Sequence, residues 1–349
     1  MLRAVLVGCG AMSKTNIEAA LATGDVEIVG LVDLERANAD ARAAEFGLTG
    51  IDIDVDLAGV LQRTKPDFVI DVVVPQARFA VASCALAHGC DLISEKPMAD
   101  SMDHAAALVE AARTSGRLHA VVQNRRYIEG VRRIRRFIDS GAIGRVTSLH
   151  CDFFLAPHFG GFREAMEHVL LLDMAIHTFD AARYFVDDAA RAVYCREWSP
   201  TNSWYAGGSS ATAVFEFGDD VVFTYRGSWC ADGLRTSWES AWRIVGERGT
   251  LIWDGEENLV AETVSTTGGF FSEVETVAVP PLDPADRIGG HHGVMQDFVA
   301  SLRNRSEPET VGHENIKSLA MVFGAIESAE TGRRIELTDT TAQEARNLQ

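Results

Sequence analysis

Apolar residues in the first third of the chain come in short runs separated by helix-length segments. Residues 2–7 form one such run, followed by a glycine turn and a helical pattern over 13–22. Residues 27–32 form a second β-rich run ending at Asp33, and a helix over 35–46 stops at Gly47. Val69, Ile70, Val72, Val73 and Val74 make 68–74 an almost unbroken strand; 91–95 and 118–123 repeat the theme. Helices are predicted at 77–88, closing on Gly89, and from a cap at Asp100 or Ser101 to Ser115, closing on Gly116. Strands apolar on both faces need a sheet covered on both sides. The β-α-β alternation therefore predicts a doubly wound parallel sheet in a first domain of residues 1–122.

From residue 123 the pattern changes, which sets a second domain at 123–349. It predicts a basic helix over 131–140, a strand over 145–154 and a long apolar helix over 169–184. β-rich runs then dominate at 211–217, 221–229, 242–246 and 250–253. Gly218-Asp219-Asp220 and Gly246-Glu247-Arg248-Gly249 link them as antiparallel hairpins. Helices follow at 292–303 and 314–329; in the latter Ile316, Leu319, Phe323 and Ile326 share one face. About the last ten residues read as frayed.

A chain of 349 residues is long enough for two self-sufficient cores. Its net charge of -18 argues against a nucleic-acid partner, whose phosphates call for clustered Lys and Arg. It argues equally against an anionic membrane surface. Cys9, Cys84, Cys90, Cys151, Cys195 and Cys230 form no C-x-x-C pair and read as buried thiols of a reducing compartment. No signal-peptide pattern and no run of ~18 apolar residues is found, so a cytoplasmic location is expected.

Gly8-Cys9-Gly10-Ala11-Met12-Ser13 sits between the first strand and the first helix. This approximates the dinucleotide turn, in which one glycine makes the tight turn and the next lets a pyrophosphate approach the helix N-terminus. Asp33, ending the second strand, is placed to hydrogen-bond a ribose 2′-hydroxyl, which favours NAD. Arg36 nearby is suited to a 2′-phosphate and keeps NADP open as the alternative. A helix cap is the other reading of Asp33.

Lys96, at the end of the strand over 91–95, should face the ligand crevice of such a sheet. There it can donate to a substrate oxygen or carry its proton; a solvated loop lysine is the alternative. In the helix over 169–184, Asp173, His177, Asp180 and Tyr184 recur at spacings of four, three and four, forming one polar stripe. Asp173 can hold the His177 imidazole in one tautomer, as a general base for an alcohol requires; a structural pair is the alternative. His158, His168, His177, His291 and His292 with Asp173 allow a zinc reading, but no compact ligand spacing supports it and no metal is expected. Trp198, Trp204, Tyr205, Trp229, Trp238 and Trp242 read as sheet core, subunit interface or sugar-stacking rings. Arg163 and Arg235 are suited to an anionic substrate group, and Arg132, Arg133, Arg135 and Arg136 read as a solvated helix face.

Together these segments resemble the Gfo/Idh/MocA family, named for glucose–fructose oxidoreductase and inositol dehydrogenase. The resemblance rests on the glycine turn, Asp33, Asp71-Val72-Val73-Val74-Pro75, Glu95-Lys96-Pro97, Gln123-Asn124-Arg125-Arg126-Tyr127, the run from Leu170 to Asp180, the spacing of Gly141 and Gly144, and the segment from Glu327 to Ile335. It covers essentially the whole chain. It implies a Rossmann domain followed by an α+β domain whose open, mainly antiparallel sheet makes dimers or tetramers. It implies Lys96, Asp173 and His177 as the catalytic set, with Arg125 and Asp180 also touching substrate. Cofactor contacts are implied at Gly8, Gly10, Ala11, Met12, Asp33, Arg36, Val74, Pro75, Glu95, Lys96 and Gln123. Ser13, Val74 and Phe79 depart from the family's pattern. The expected activity is hydride transfer between NAD and a secondary hydroxyl of a sugar or cyclitol. Bond cleavage through transient oxidation by NAD, or a non-enzymatic NAD-dependent regulator, are the alternatives.

Overall fold

The computed structural model describes residues 1–337; the expected C-terminal fraying lies outside the described residues. The chain divides into two compact units. The first comprises Met1–Tyr127 and Arg287–Ile316, the second Ile128–Asp286 and the chain from Lys317.

In the first unit, strands β1 (Leu2–Val7), β2 (Val26–Val32), β3 (Asp52–Asp54), β4 (Phe68–Asp71), β5 (Asp91–Ser94) and β6 (His119–Val121) form one sheet in the order β3-β2-β1-β4-β5-β6. Every pairing is parallel. Helices α1 (Ala11–Ala22), α2 (Arg36–Glu45), α3 (Leu57–Thr64), α4 (Pro75–Ala87) and α5 (Met102–Ser115) make the crossovers. This is the doubly wound order with its switch point between β1 and β4, beyond whose carboxyl ends ligands bind. Ser101 caps α5, its side chain accepting from the His104 N–H at 3.2 Å.

Residues 287–316, which the sequence pattern places in the second domain, are counted with this unit. Val294, Met295, Phe298 and Val299 of the helix His291–Asn304 share one buried core with Ala4, Leu6, Ile17 and Ala20. The Phe68 and Phe298 rings meet edge to face at 5.3 Å.

The strand predicted over 68–74 stops at Asp71. The Asp71 carboxylate accepts the Val73 N–H at 3.1 Å and Arg78 donates to the Val73 carbonyl, while Pro75 opens α4. These local bonds draw Val73 and Val74 off the sheet in spite of their β propensity.

In the second unit, α6 (Glu129–Asp139) and β7 (Val146–Phe154) lead to a π-helical turn, Leu170–Ala175, continued by α7 (Ile176–Val186). Strands β8 (Ala192–Trp198), β9 (Ser210–Glu216), β10 (Val222–Ser228), β11 (Ala241–Gly246), β12 (Gly249–Trp253), β13 (Leu259–Thr266), β14 (Glu273–Val277) and β15 (Ile335–Glu336) complete a sheet ordered β14-β13-β12-β11-β7-β10-β9-β8-β15. Only β7 and β10 pair in parallel. Register sets Val193, Phe215, Phe223, Leu149, Ile244, Leu251 and Ala261 side by side across the sheet, all buried. The α7 ring of Phe179 packs on Phe215 at 4.6 Å and on Tyr225 at 5.3 Å, which explains the apolar faces of both elements.

Two expectations are corrected here. The single helix over 169–184 is a π turn followed by an α-helix. His168 has φ +50°, and the Leu170 N–H donates to the Gly208 carbonyl at 3.3 Å instead of into a helix, so the chain starts off the α-helical path. The arginines of α6 are not a solvated face. Arg132 is buried and donates to the Tyr184 hydroxyl at 3.0 Å; Arg133 donates to the Pro280 carbonyl and Arg135 to the Tyr184 carbonyl, and Arg136 pairs with Asp283 and Asp286. Long arginine stems bury apolar area while the guanidinium reaches neighbouring acceptors, which charge counting along a helix does not reveal.

Among the described residues no helix is long and apolar enough to cross a membrane.

Candidate functional site

The glycine turn is shaped by protein on one side and left open on the other. Gly8 has φ +91°, and a Cβ there would lie 2.8 Å from the Val72 carbonyl, so only glycine fits. Gly10 would meet nothing within 4 Å. It precedes α1, whose first turn carries no side-chain cap; Ala11 and Met12 are exposed there. Free N–H groups at an open helix N-terminus are what a pyrophosphate uses. Ser13, the departure from the pattern, is fully buried and donates its hydroxyl to the Gly10 carbonyl at 2.6 Å.

Asp33 accepts the Cys9 N–H at 2.7 Å, the Glu35 N–H at 2.9 Å and the Asn38 side chain at 3.1 Å. It ties β2 to the glycine turn, and it makes the local turn before Glu35 as well. Burial, with the Asp33 charge adding to it, pushes the Cys9 thiol up to about 12. Arg36 is exposed and donates to the Ile53 carbonyl at 2.7 Å.

Arg78, unnoticed in the sequence, is the staple of the next two loops. It is fully buried, pairs with the equally buried Asp71 at 3.2 Å, and donates to the carbonyls of Val73 and Pro97. It thereby fixes the segment through Val74 and Pro75 against the segment through Lys96. Val74 itself is exposed, and Phe79 stacks on His104 with ring centres 4.1 Å apart.

Glu95 is buried after β5. Its Oε1 accepts from the Asn16 side chain at 2.9 Å and from His291 Nε2 at 3.2 Å. Burial pushes this carboxyl up, but His291, Asn16 and the nearby Lys96 outweigh that and leave it below its usual range. Lys96 is half-buried and joined to Pro97 by a cis peptide bond. Gln123 is fully buried, and neither polar atom of its amide has a partner among the described residues. A buried amide in that state is ready for a bound polar group. Arg125 lies in the 3-10 turn Asn124–Tyr127, where burial pushes its guanidinium down to about 10, still charged near neutrality. An open helix terminus, an acidic strand end and an unsatisfied amide together fit a dinucleotide.

In the second unit, Asp173 lies in the π-helical turn and His177 one turn on, in α7, buried. Arg163 donates from Nε to Asp173 Oδ2 at 2.8 Å and lies 5.0 Å from the ring centres of both Phe159 and Phe162. The π turn rephases the predicted stripe, since its N–H groups reach back five residues rather than four. Asp180 is fully buried and accepts from Ser318 at 2.6 Å, with Arg183 at 3.8 Å; Tyr184 accepts from Arg132. Asp173, Asp180 and Tyr184 each bond to a side chain outside the stripe: Arg163, Ser318 and Arg132.

Among the described residues no group of three or more His, Cys, Asp or Glu is placed to hold a metal ion. His158 stacks on Trp204, His168 bonds to Glu197 and His291 to Glu95. Of the aromatic residues, Tyr205, Trp229 and Trp242 are buried, while Trp198 and Trp238 are partly exposed. Arg235 is exposed beside Asp232.

A 3-2-1-4-5-6 parallel sheet with an open glycine turn, followed by a mainly antiparallel sheet, defines a dinucleotide-binding oxidoreductase architecture. Residues 2–123 match the oxidoreductase family with NAD-binding Rossmann fold, and residues 131–252 match the GFO/IDH/MocA C-terminal domain. The chain belongs to the GFO/IDH/MocA family. It is 29% identical to an uncharacterized protein, y4oX, of Sinorhizobium fredii, over 91% of this chain and 90% of that relative. It is 28% identical to D-apiose dehydrogenase of Paraburkholderia graminis, over 98% of this chain and 91% of the relative. Among solved structures, an oxidoreductase from Agrobacterium radiobacter in complex with NAD+, L-tartaric acid and magnesium superposes with a TM-score of 0.84 at 22% identity, over 96% of this chain and 98% of that one. That likeness shows the shared fold.

Proposed function

We propose that the protein oxidises a secondary hydroxyl of a sugar or cyclitol, or reduces the corresponding ketone, with NAD as its redox partner. Bound NAD supplies the hydride acceptor. Gly8, Gly10, Ala11 and Met12 would form the turn against its pyrophosphate, Asp33 would take the ribose hydroxyls, and Val74, Pro75, Glu95, Lys96 and Gln123, which follow the carboxyl ends of β4, β5 and β6, would line its binding site. His177 takes the proton of the reacting hydroxyl. Asp173 orients His177 and favours its protonated form, and Arg163 holds Asp173 as an anion. Lys96 donates a hydrogen bond to the same oxygen and balances the negative charge that grows on it. Arg125 and Asp180 complete the substrate-binding set.

The observation that carries this reading is the state of the polar groups. A lysine beside a buried carboxylate and an aspartate fixed by an arginine, four residues before a buried histidine, are costly arrangements for structure alone. The relative named D-apiose dehydrogenase, matched over nearly the whole chain, supports a sugar as substrate. The test is NADH absorbance with the purified protein and a panel of pentoses, hexoses, uronates and inositols. Growth of the NADH band with at least one of them is expected. Silence across the panel, with NAD binding demonstrated, refutes the proposal.

A further inference from the structure

Gly10 meets two opposed demands at the glycine turn. Without a Cβ it leaves the space before α1 open, and for the same reason its own peptide is free to swing. The surrounding side chains take that freedom away. The Gly10 carbonyl accepts from the Ser13 hydroxyl at 2.6 Å, from the Ser13 N–H at 3.2 Å and from Arg42 Nη2 at 3.0 Å. Two of these donors belong to α1. The third comes from α2, 32 positions along the chain, and ties the turn to a second helix.

Arg42 is itself held. Its Nη1 pairs with Glu45, whose other carboxylate oxygen takes Lys14 of α1 at 3.0 Å. Its Nε is buried, and only 14% of the side chain is exposed. With Nη1 on Glu45 and Nη2 on Gly10, the guanidinium is turned to protein acceptors, and Glu45 offsets its charge. One turn earlier on the same face of α2, the Asn38 amide donates to Asp33 at 3.1 Å. α2 therefore grips both the acidic end of β2 and the glycine turn. The direction of the neighbouring donor follows. A trans peptide is planar, with its C=O and N–H antiparallel. Three donors on the Gly10 oxygen aim the Ala11 N–H the opposite way, out of the helix end. Ala11 is the first residue of α1, so this N–H has no acceptor within the helix.

We infer that Arg42 is a positioning residue for the cofactor: together with Ser13 it pins the Gly10 carbonyl and so holds the Ala11 N–H ready for the pyrophosphate. The small residue expected at position 13 of the motif brings no donor of this kind. Here a hydroxyl and an arginine stiffen the turn in advance, which removes an ordering cost from binding. The inference rests on the cofactor part of the proposed function and is read in binding, without turnover.

The test is fluorescence titration with NADH of the full-length chain, Arg42→Met, Ser13→Ala and the double variant, at low and at high salt. Adenosine, which lacks the pyrophosphate, is measured alongside by competition. Each single change is expected to raise the NADH dissociation constant about threefold to tenfold. The double variant should exceed the product of the two by about threefold or more, because either side chain alone still pins the same oxygen. Adenosine should bind every variant within about twofold of the parent, since its contacts do not use the Ala11 N–H. The Arg42→Met loss should persist in about 1 M salt, where screening acts over about 3 Å and a bare charge effect fades. Unchanged NADH affinity in Arg42→Met, losses that only multiply, an equal loss for adenosine, or a loss that vanishes in salt each overturns the inference. If the double variant does not fold, the Arg42→Met titrations with both ligands at both salt levels decide. A parent chain that binds NADH and oxidises no sugar strikes the proposed activity alone.

Discussion

Asp33 carries three protein hydrogen bonds and is still not saturated, because an ionised carboxylate offers about four lone-pair sites. Both readings of this residue from the sequence, ribose ligand and turn former, are therefore compatible in one side chain. Removing it unties the glycine turn and takes away an acceptor for ribose at once. Asp33→Ala is expected to weaken NADH about tenfold or more by fluorescence titration, and to narrow the preference over NADPH, whose 2′-phosphate the carboxylate repels. An unchanged NADH dissociation constant would count against the assignment. At this scale the sequence marks residues that sit in short motifs, such as Gly8, Asp33 and Lys96. It does not mark Arg78, and it offers His291 only to a metal. Arg78 is one more arginine in a helix, and the partner of His291 is nearly two hundred positions away.

Between elements, the parallel sheet was legible because both faces of β1, β2, β4 and β5 are buried and their runs are nearly all apolar. Its limits were less legible. Val73 and Val74 are strand-type residues but obey Asp71, Arg78 and Pro75. The π turn at Leu170–Ala175 was invisible, since periodicity cannot tell a wider turn from an α turn when nearly every position is apolar. The element scale also carries a pH prediction. His119 of β6 is buried against Ser94, and burial, with the Arg78 charge adding, pushes its imidazole down to about 4. In the unfolded chain it takes up a proton near pH 6.5, so between the two values the unfolded state binds more protons. The stability it contributes is full above the unfolded value and is lost as the pH falls towards 4. From pH 7 to pH 5 the loss is about 2 kcal/mol. Denaturant unfolding of the parent and His119→Gln at both pH values checks this: the variant should lose less stability by roughly that amount. Equal losses would contradict it.

For the molecule as a whole, the second sheet has one face packed by α7, while its other face carries exposed side chains. Across that other face, register aligns Tyr194, Val214, Thr224, His150, Arg243, Ile252 and Val260, and Tyr194, Val214 and Val260 are exposed. Exposed apolar side chains at both ends of this row suit a subunit interface, and we propose that a second copy covers them, giving a dimer or tetramer. Light scattering should give at least twice the 37.9 kDa chain mass for the parent, and the chain mass for Tyr194→Glu/Val214→Glu. A monomeric parent would dismiss the proposal.

The central claim is that Lys96 and His177 act on one reacting oxygen. The most direct test is a double-mutant cycle on NADH formation, with Lys96→Met, His177→Ala and their combination, each checked for NAD binding. Each single change should lower kcat by about 10²–10⁴-fold, and the pair by little more than the worse single, because groups that act as a unit are not additive. Losses that multiply in full, or a single variant that keeps the parent's turnover, would contradict the account.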